Sequence, residues 1–146
     1  MPASPLVQAL LGLTVLICLF AFLKGGRAER IGAGIILSNL VLTIILAELN
    51  LGAGGSLAQL GLDAVTAIGL LVIALRYASL WVGAVMLLYS AQFGLHSFYI
   101  VAERPHDFLH IVLNNLNFLS VSICLAIGTV TAWRRRAIGA RAASAS

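Results

Sequence analysis

The residue types best suited to chemistry in this chain are three histidines and a few acids that fall near them in sequence or in helical register. His106-Asp107-Phe108-Leu109-His110 sets two imidazoles at i and i+4, on one face of a helix. That spacing can hold a metal ion. It has the frame of a zincin motif, with Asp107 where that motif carries Glu, and the side chain is one methylene shorter. A catalytic zinc needs a third protein ligand. His96, Glu103, Asp63 and Glu48 are the candidates, and His106, His110 and His96 form the leading metal set. The competing reading is plain helix-start chemistry. Pro105 suits a first helical position and Asp107 complements the positive end of the helix dipole. No cofactor is called for, and a metal ion at these histidines is the one candidate. Haem fits poorly, because neighbouring helices about 8–10 Å apart leave little room for a porphyrin. Imidazole titrates near pH ~6.5, so the histidines also suit sensing of external pH.

A second pattern runs through the same region. Tyr89, Gln92, His96 and Tyr99 are spaced three, four and three, and therefore share one helix face. Asp107, His110, Asn114, Asn117, Cys124, Gly128 and Thr131 make a matching stripe on the next helix. Two helices joined by a short loop pack antiparallel, which puts His96 level with His110 and Gln92 level with Asn114 or Asn115. Asp63 lies about one turn into the preceding helix, with Gln59 and Thr66 on a similar face. Asn39 and Thr43 share a face of the helix before that, while Glu48 reads as an interfacial acid in reach of water. One account is helix glue, in which polar groups turn inward and bond across helices for ~0.6 kcal/mol each. The other is a polar pocket or ligand-binding site built from Asp63, Gln92, His96, His110, Asn114 and Asn117. Ionisable groups inside a membrane are costly and mark sites or pathways.

The elements that must position these residues are membrane-spanning helices. Hydrophobic residues make up 61% of the chain and charged residues 10%, against about 25% charged in soluble domains. Mean hydropathy is +1.05. A span needs about 20 apolar residues to cross ~30 Å of hydrocarbon. Five such runs occur, near 5–23, 31–50, 57–75, 80–101 and 106–133. The fold class is therefore all-α, a polytopic transmembrane helical bundle, with residues 1–136 as a single domain and 137–146 as a flexible basic tail. An open sheet is excluded because it cannot satisfy its backbone in lipid.

Charge sets the orientation. Lys24, Arg27 and Arg30 lie in one gap, Arg76 in another, and Arg134, Arg135, Arg136 and Arg141 follow the last run. Five spans place these eight of the nine basic residues on one side and leave Arg104 on the other. By the positive-inside rule the N-terminus is outside and the C-terminus in the cytoplasm. Tyr77, Trp81 and Trp133 fall at the predicted cytoplasmic boundary, as an aromatic belt does. The basic pI near 9.7 thus reflects membrane anchors, and no nucleic-acid partner is expected. No positive charge precedes the first run, which argues against a secretory signal. Cys18 and Cys124 sit inside apolar runs and read as small buried hydrophobes.

The stretch Lys24-Gly-Gly-Arg-Ala-Glu-Arg-Ile-Gly-Ala33, with Asp63, Arg76, Trp81, Gln92 and His96, resembles small, uncharacterised multi-span proteins of bacterial inner membranes. The resemblance implies that location and carries no activity, cofactor or partner. No phosphate loop, serine-centred elbow or paired-cysteine motif is present. The leading expectation is a non-enzymatic integral membrane protein acting as an accessory or structural subunit, in contact with lipid and with other membrane subunits or copies of itself. The alternatives are a small-solute or ion permease with a polar route along spans three to five, and a metal-binding membrane enzyme using His106 and His110.

Overall fold

The computed structural model describes residues 5–49, 53–103 and 108–144. They form five helices: α1 (Pro5–Lys24), α2 (Arg27–Leu49), α3 (Ala53–Tyr77), α4 (Leu80–Val101) and α5 (Phe108–Ser144). Among the described residues there is no strand. Each helix is long and apolar enough to cross a membrane. Each packs on its neighbour in sequence, α1 closes the ring against α5, and α2 also touches α5.

The bundle is apolar on the outside. Leu16, Leu23, Val65 and Leu75 are 65%, 75%, 68% and 77% exposed, while Thr14, Cys18 and Ala21 are buried. Residues 14, 18 and 21 share one face of α1, so small side chains meet α5 and the large apolar ones point away. Water would penalise that arrangement and lipid does not.

Several helix ends differ from the sequence expectation. α2 starts at Arg27, within the stretch read as a basic loop. Gly26 precedes it, and the Glu29 carboxyl reaches back to accept from the Gly26 N–H at 2.9 Å. This is the reciprocal half of a capping box, with the acid at the third helical position, and it fixes the start. α3 begins at Ala53, four residues ahead of the run expected from 57. α5 does not stop at the arginine run but continues to Ser144, so the segment from 137 read as a flexible tail is helical. Arg and Ala are strong helix formers and no proline interrupts them. At ~1.5 Å per residue its 37 residues extend about 55 Å, well beyond ~30 Å of hydrocarbon. α4 spans 80–101 as its sequence predicts. Ala78 and Glu103, just past the ends of α3 and α4, adopt φ values of 46° and 47°, the left-handed conformation that terminates helices.

The alternating helix directions give the bundle two ends. At the basic end, the C-terminus of α1 meets α5 where the Arg136 guanidinium donates to the Lys24 carbonyl. At the other, the histidine end, α4 finishes and α5 begins. The core differs between them. Ile36, Leu70, Val82, Val85 and Leu125 are fully buried in the basic half. Buried Asp63, Thr66, Gln92 and His110 mark the histidine half.

Candidate functional site

The histidine half contains a chain of hydrogen bonds across four helices. It starts on α5, where the Asn117 amide N–H donates to Gln92 Oε1 at 3.1 Å. The Gln92 amide nitrogen donates in turn to Asn114 Oδ1. Its second hydrogen faces His96 Nε2 at 3.1 Å. The other ring nitrogen, Nδ1, lies 2.7 Å from Asp63 Oδ2 on α3. Asp63 Oδ1 accepts from the Gln59 amide at 3.3 Å, and that amide also donates to Thr43 Oγ1 on α2 at 3.1 Å. Beside it, the Asn39 amide donates to Thr66 Oγ1 at 2.9 Å.

Helical spacing explains the assembly. Gln59 and Asp63 are four apart on α3, as are Gln92 and His96 on α4, so each pair shares a face and bonds along its own helix. Asn114 and Asn117 are three apart on α5 and grip the Gln92 amide from both sides.

The pattern also selects a tautomer. Asp63 accepts, so His96 must carry hydrogen on Nδ1, and Nε2 is then the acceptor for the Gln92 N–H. In this neutral form every polar atom of His96, and both oxygens of Asp63, are bonded. A proton added at Nε2 would set a donor against the Gln92 donor. The amide would have to turn over, breaking its bonds to Asn114 and Asn117.

Side-chain exposure is 13% for His96 and 2% for Asp63, so the pair is withdrawn from the outer surface of the bundle. Against it lies a cavity of about 90 Å3, large enough for several waters or a solute of a few heavy atoms. Its walls include Asn39, Thr43, Gln59, Asp63, Tyr89, Gln92, Asn114 and Asn117, with Leu40, Phe118 and Val121 completing them. Amides, hydroxyls and one acid thus share the lining with apolar side chains, which suits a small hydrogen-bonding solute.

His110 is buried beside this network. Its ring stands 5.5 Å from that of His96 and 4.7 Å, edge on, from that of Tyr99. The structure therefore brings Asp63, Gln92, His96, His110, Asn114 and Asn117 into one cluster. Of the metal set, His96 and His110 are neighbours, while His106 lies outside the described residues, as does Asp107. Among the described residues no group of three histidine, cysteine or acidic side chains is placed to hold a metal ion. Glu48 and Glu103 are exposed, away from the cluster. Compared with known proteins, the chain matches no family model, no curated protein and no solved structure.

A second buried polar contact was not evident from sequence. Glu29 is 7% exposed and its Oε1 accepts from the Trp81 indole N–H at 3.0 Å. Trp81 is thus not a belt residue at the boundary, as its position near the basic end suggests. It turns inward between α2 and α5. A Cβ on Gly32 would sit 2.7 Å from its ring, and one on Gly128 would sit 2.5 Å away. Only glycine lets both helices close on the indole. The sequence signal for Glu29 is its place three residues after Gly26, where it caps α2 with one oxygen and holds Trp81 with the other.

Proposed function

We propose that this protein is a multi-pass protein of a bacterial inner membrane that admits a small polar solute or ion into its histidine half, as a permease does. The reading places the basic end in the cytoplasm, on the strength of the lysine and arginine asymmetry. One observation carries it: Asp63 and His96, 2.7 Å apart and withdrawn from the surface, belong to a hydrogen-bonded chain that lines a polar cavity. Cross-helix bonds alone do not call for an ionisable pair, since neutral amides and hydroxyls glue membrane helices at lower desolvation cost. The pair is better placed to meet a solute or a proton. On this reading the fully buried apolar residues Ile36, Leu70, Val82, Val85 and Leu125 would bar a solute from going further toward the basic end.

Purified protein in liposomes tests this with proton, ammonium and urea-sized neutral probes. Wild type should raise the flux of at least one probe above that of empty vesicles. Asp63→Asn and His96→Ala should each lower that flux at least tenfold. Wild-type flux no greater than background, or flux in both variants equal to that of wild type, overturns the reading.

A second reading, an accessory subunit of a larger assembly, is favoured by a separate feature. A groove of about 400 Å3 between α4 and α5 opens among Leu88, Leu95, Leu113 and Leu116, with Gln92, Asn117 and Ser120 along it. A partner helix carrying a polar residue would seat there. Gentle detergent extraction followed by native mass spectrometry should then yield a stoichiometric partner, and a strictly solitary chain contradicts it.

A further inference from the structure

A second recess lies at the basic end, remote from the polar cavity. It has a volume of about 570 Å3 and sits between the start of α2, the α3–α4 turn and the later part of α5. Two guanidiniums, Arg27 and Arg135, stand in its wall. Among the described residues neither is in ion-pair contact with a carboxyl group. The acid in the same wall, Glu29, is already held by the Trp81 indole and the Gly26 N–H. Part of the lining is apolar. Leu80 is 92% exposed and Ile127 57% exposed, and both belong to the wall. The site is amphipathic: its wall combines two guanidiniums with bare aliphatic surface.

From this we propose that the recess binds one anionic phospholipid, with its phosphate between Arg27 and Arg135 and the upper part of an acyl chain against Leu80 and Ile127. Arginine matches phosphate oxygens with paired N–H donors, and basic pockets between membrane helices take anionic headgroups. A free phosphate would use the arginines but gain nothing from the two aliphatic side chains. That surface is what selects a lipid. Independent of the solute chamber, the inference rests only on the bundle lying in a bilayer.

Native mass spectrometry of the full chain, delipidated and returned to nanodiscs of phosphatidylcholine with 20 mol% phosphatidylglycerol (about one lipid in five), provides the test. Wild type should retain a single phosphatidylglycerol adduct. Arg27→Gln with Arg135→Gln should weaken retention about 30-fold, near fivefold per arginine. The charge-matched control, Arg30→Gln with Arg134→Gln, alters arginines outside the recess and should stay within about twofold of wild type. Leu80→Asp, which leaves both guanidiniums in place, should also lose the adduct. Equal losses in the recess and control pairs would reduce the effect to general surface charge and overturn the site. Inorganic phosphate displacing the lipid at equal concentration, or a Leu80→Asp variant that binds normally, would make a soluble phosphate the ligand and overturn the lipid. Far-UV circular dichroism and monodisperse elution accompany each variant, so that a misfolded one is replaced by its single-arginine counterparts, each expected to weaken retention about fivefold.

Discussion

In the basic half, helices meet by steric fit: Trp81 fills the space left by Gly32 and Gly128, and Val82, Val85, Leu70 and Leu125 are fully buried. In the histidine half they meet through amides, hydroxyls, an imidazole and an acid, and a cavity stays between them. Lipid provides no hydrophobic drive for one helix to leave it for another. Close packing of small residues and polar bonding are therefore the two available adhesives, and each half of this bundle uses mainly one. Close packing of that kind leaves no space for a guest among Val82, Val85, Leu70 and Leu125, and the recess at this end is lined by other residues. A polar network can leave such space, because its groups exchange partners with a solute at modest cost. A proton on His96 Nε2 would set that one nitrogen against the Gln92 N–H, while Nδ1 stays on Asp63.

Mutations should separate the halves. Asp63→Ala leaves the His96 Nδ1–H buried without an acceptor and removes one bond of Gln59. The expected loss is about 3 kcal/mol, read as a large fall in the thermal midpoint in detergent, and Asp63→Asn, which keeps an acceptor oxygen, should lose much less. An equal fall for both would mean that acceptor geometry does not hold the polar half together. In the other half, Gly128→Val drives a branched side chain into the indole, and overpacking of that kind should cost about 2 kcal/mol without changing solute handling. Trp81→Phe retains most of the ring but strands Glu29 Oε1, for about 1.5 kcal/mol. Its loss should exceed that of Trp81→Phe made together with Glu29→Gln, a comparison available from a double-mutant cycle. The smallest effect is expected at the α1–α5 seam, where Thr14 and Ser122 hydroxyls lie 2.7 Å apart. Thr14→Ala should shift stability by only about 0.6 kcal/mol, near the resolution of a reversible melt.

The polar half was the more legible from sequence. The three-and-four spacing of Gln92, His96 and Tyr99 and of His110, Asn114 and Asn117 predicted two polar stripes, and an antiparallel pairing predicted Gln92 near Asn114 or Asn115, of which Asn114 takes the hydrogen bond. What spacing could not supply was which atoms meet. The Asp63–His96 contact depends on how α3 and α4 rotate against each other, a property of the whole bundle. The basic half was read less well. Glu29 lies within a run of cations, and its burial follows from a tryptophan 52 positions away. Nothing local to Gly32 or Gly128 identifies the indole that both accommodate. The helical continuation of α5 was missed because an arginine run marks the end of the hydrocarbon, not the end of the helix.

The contrast between the cavity of the polar half and the buried apolar core of the basic half can be measured by thiol labelling. In a background lacking Cys18 and Cys124, the Asn117→Cys and Val85→Cys variants would be exposed in sealed vesicles to a small, charged, membrane-impermeant thiosulfonate, applied to each face in turn. Asn117→Cys should react from the histidine-end face alone, with protection by the transported solute, and Val85→Cys should stay unreactive from both. Labelling of Val85→Cys as fast as Asn117→Cys, or an Asn117→Cys thiol inert from either side, would contradict the account.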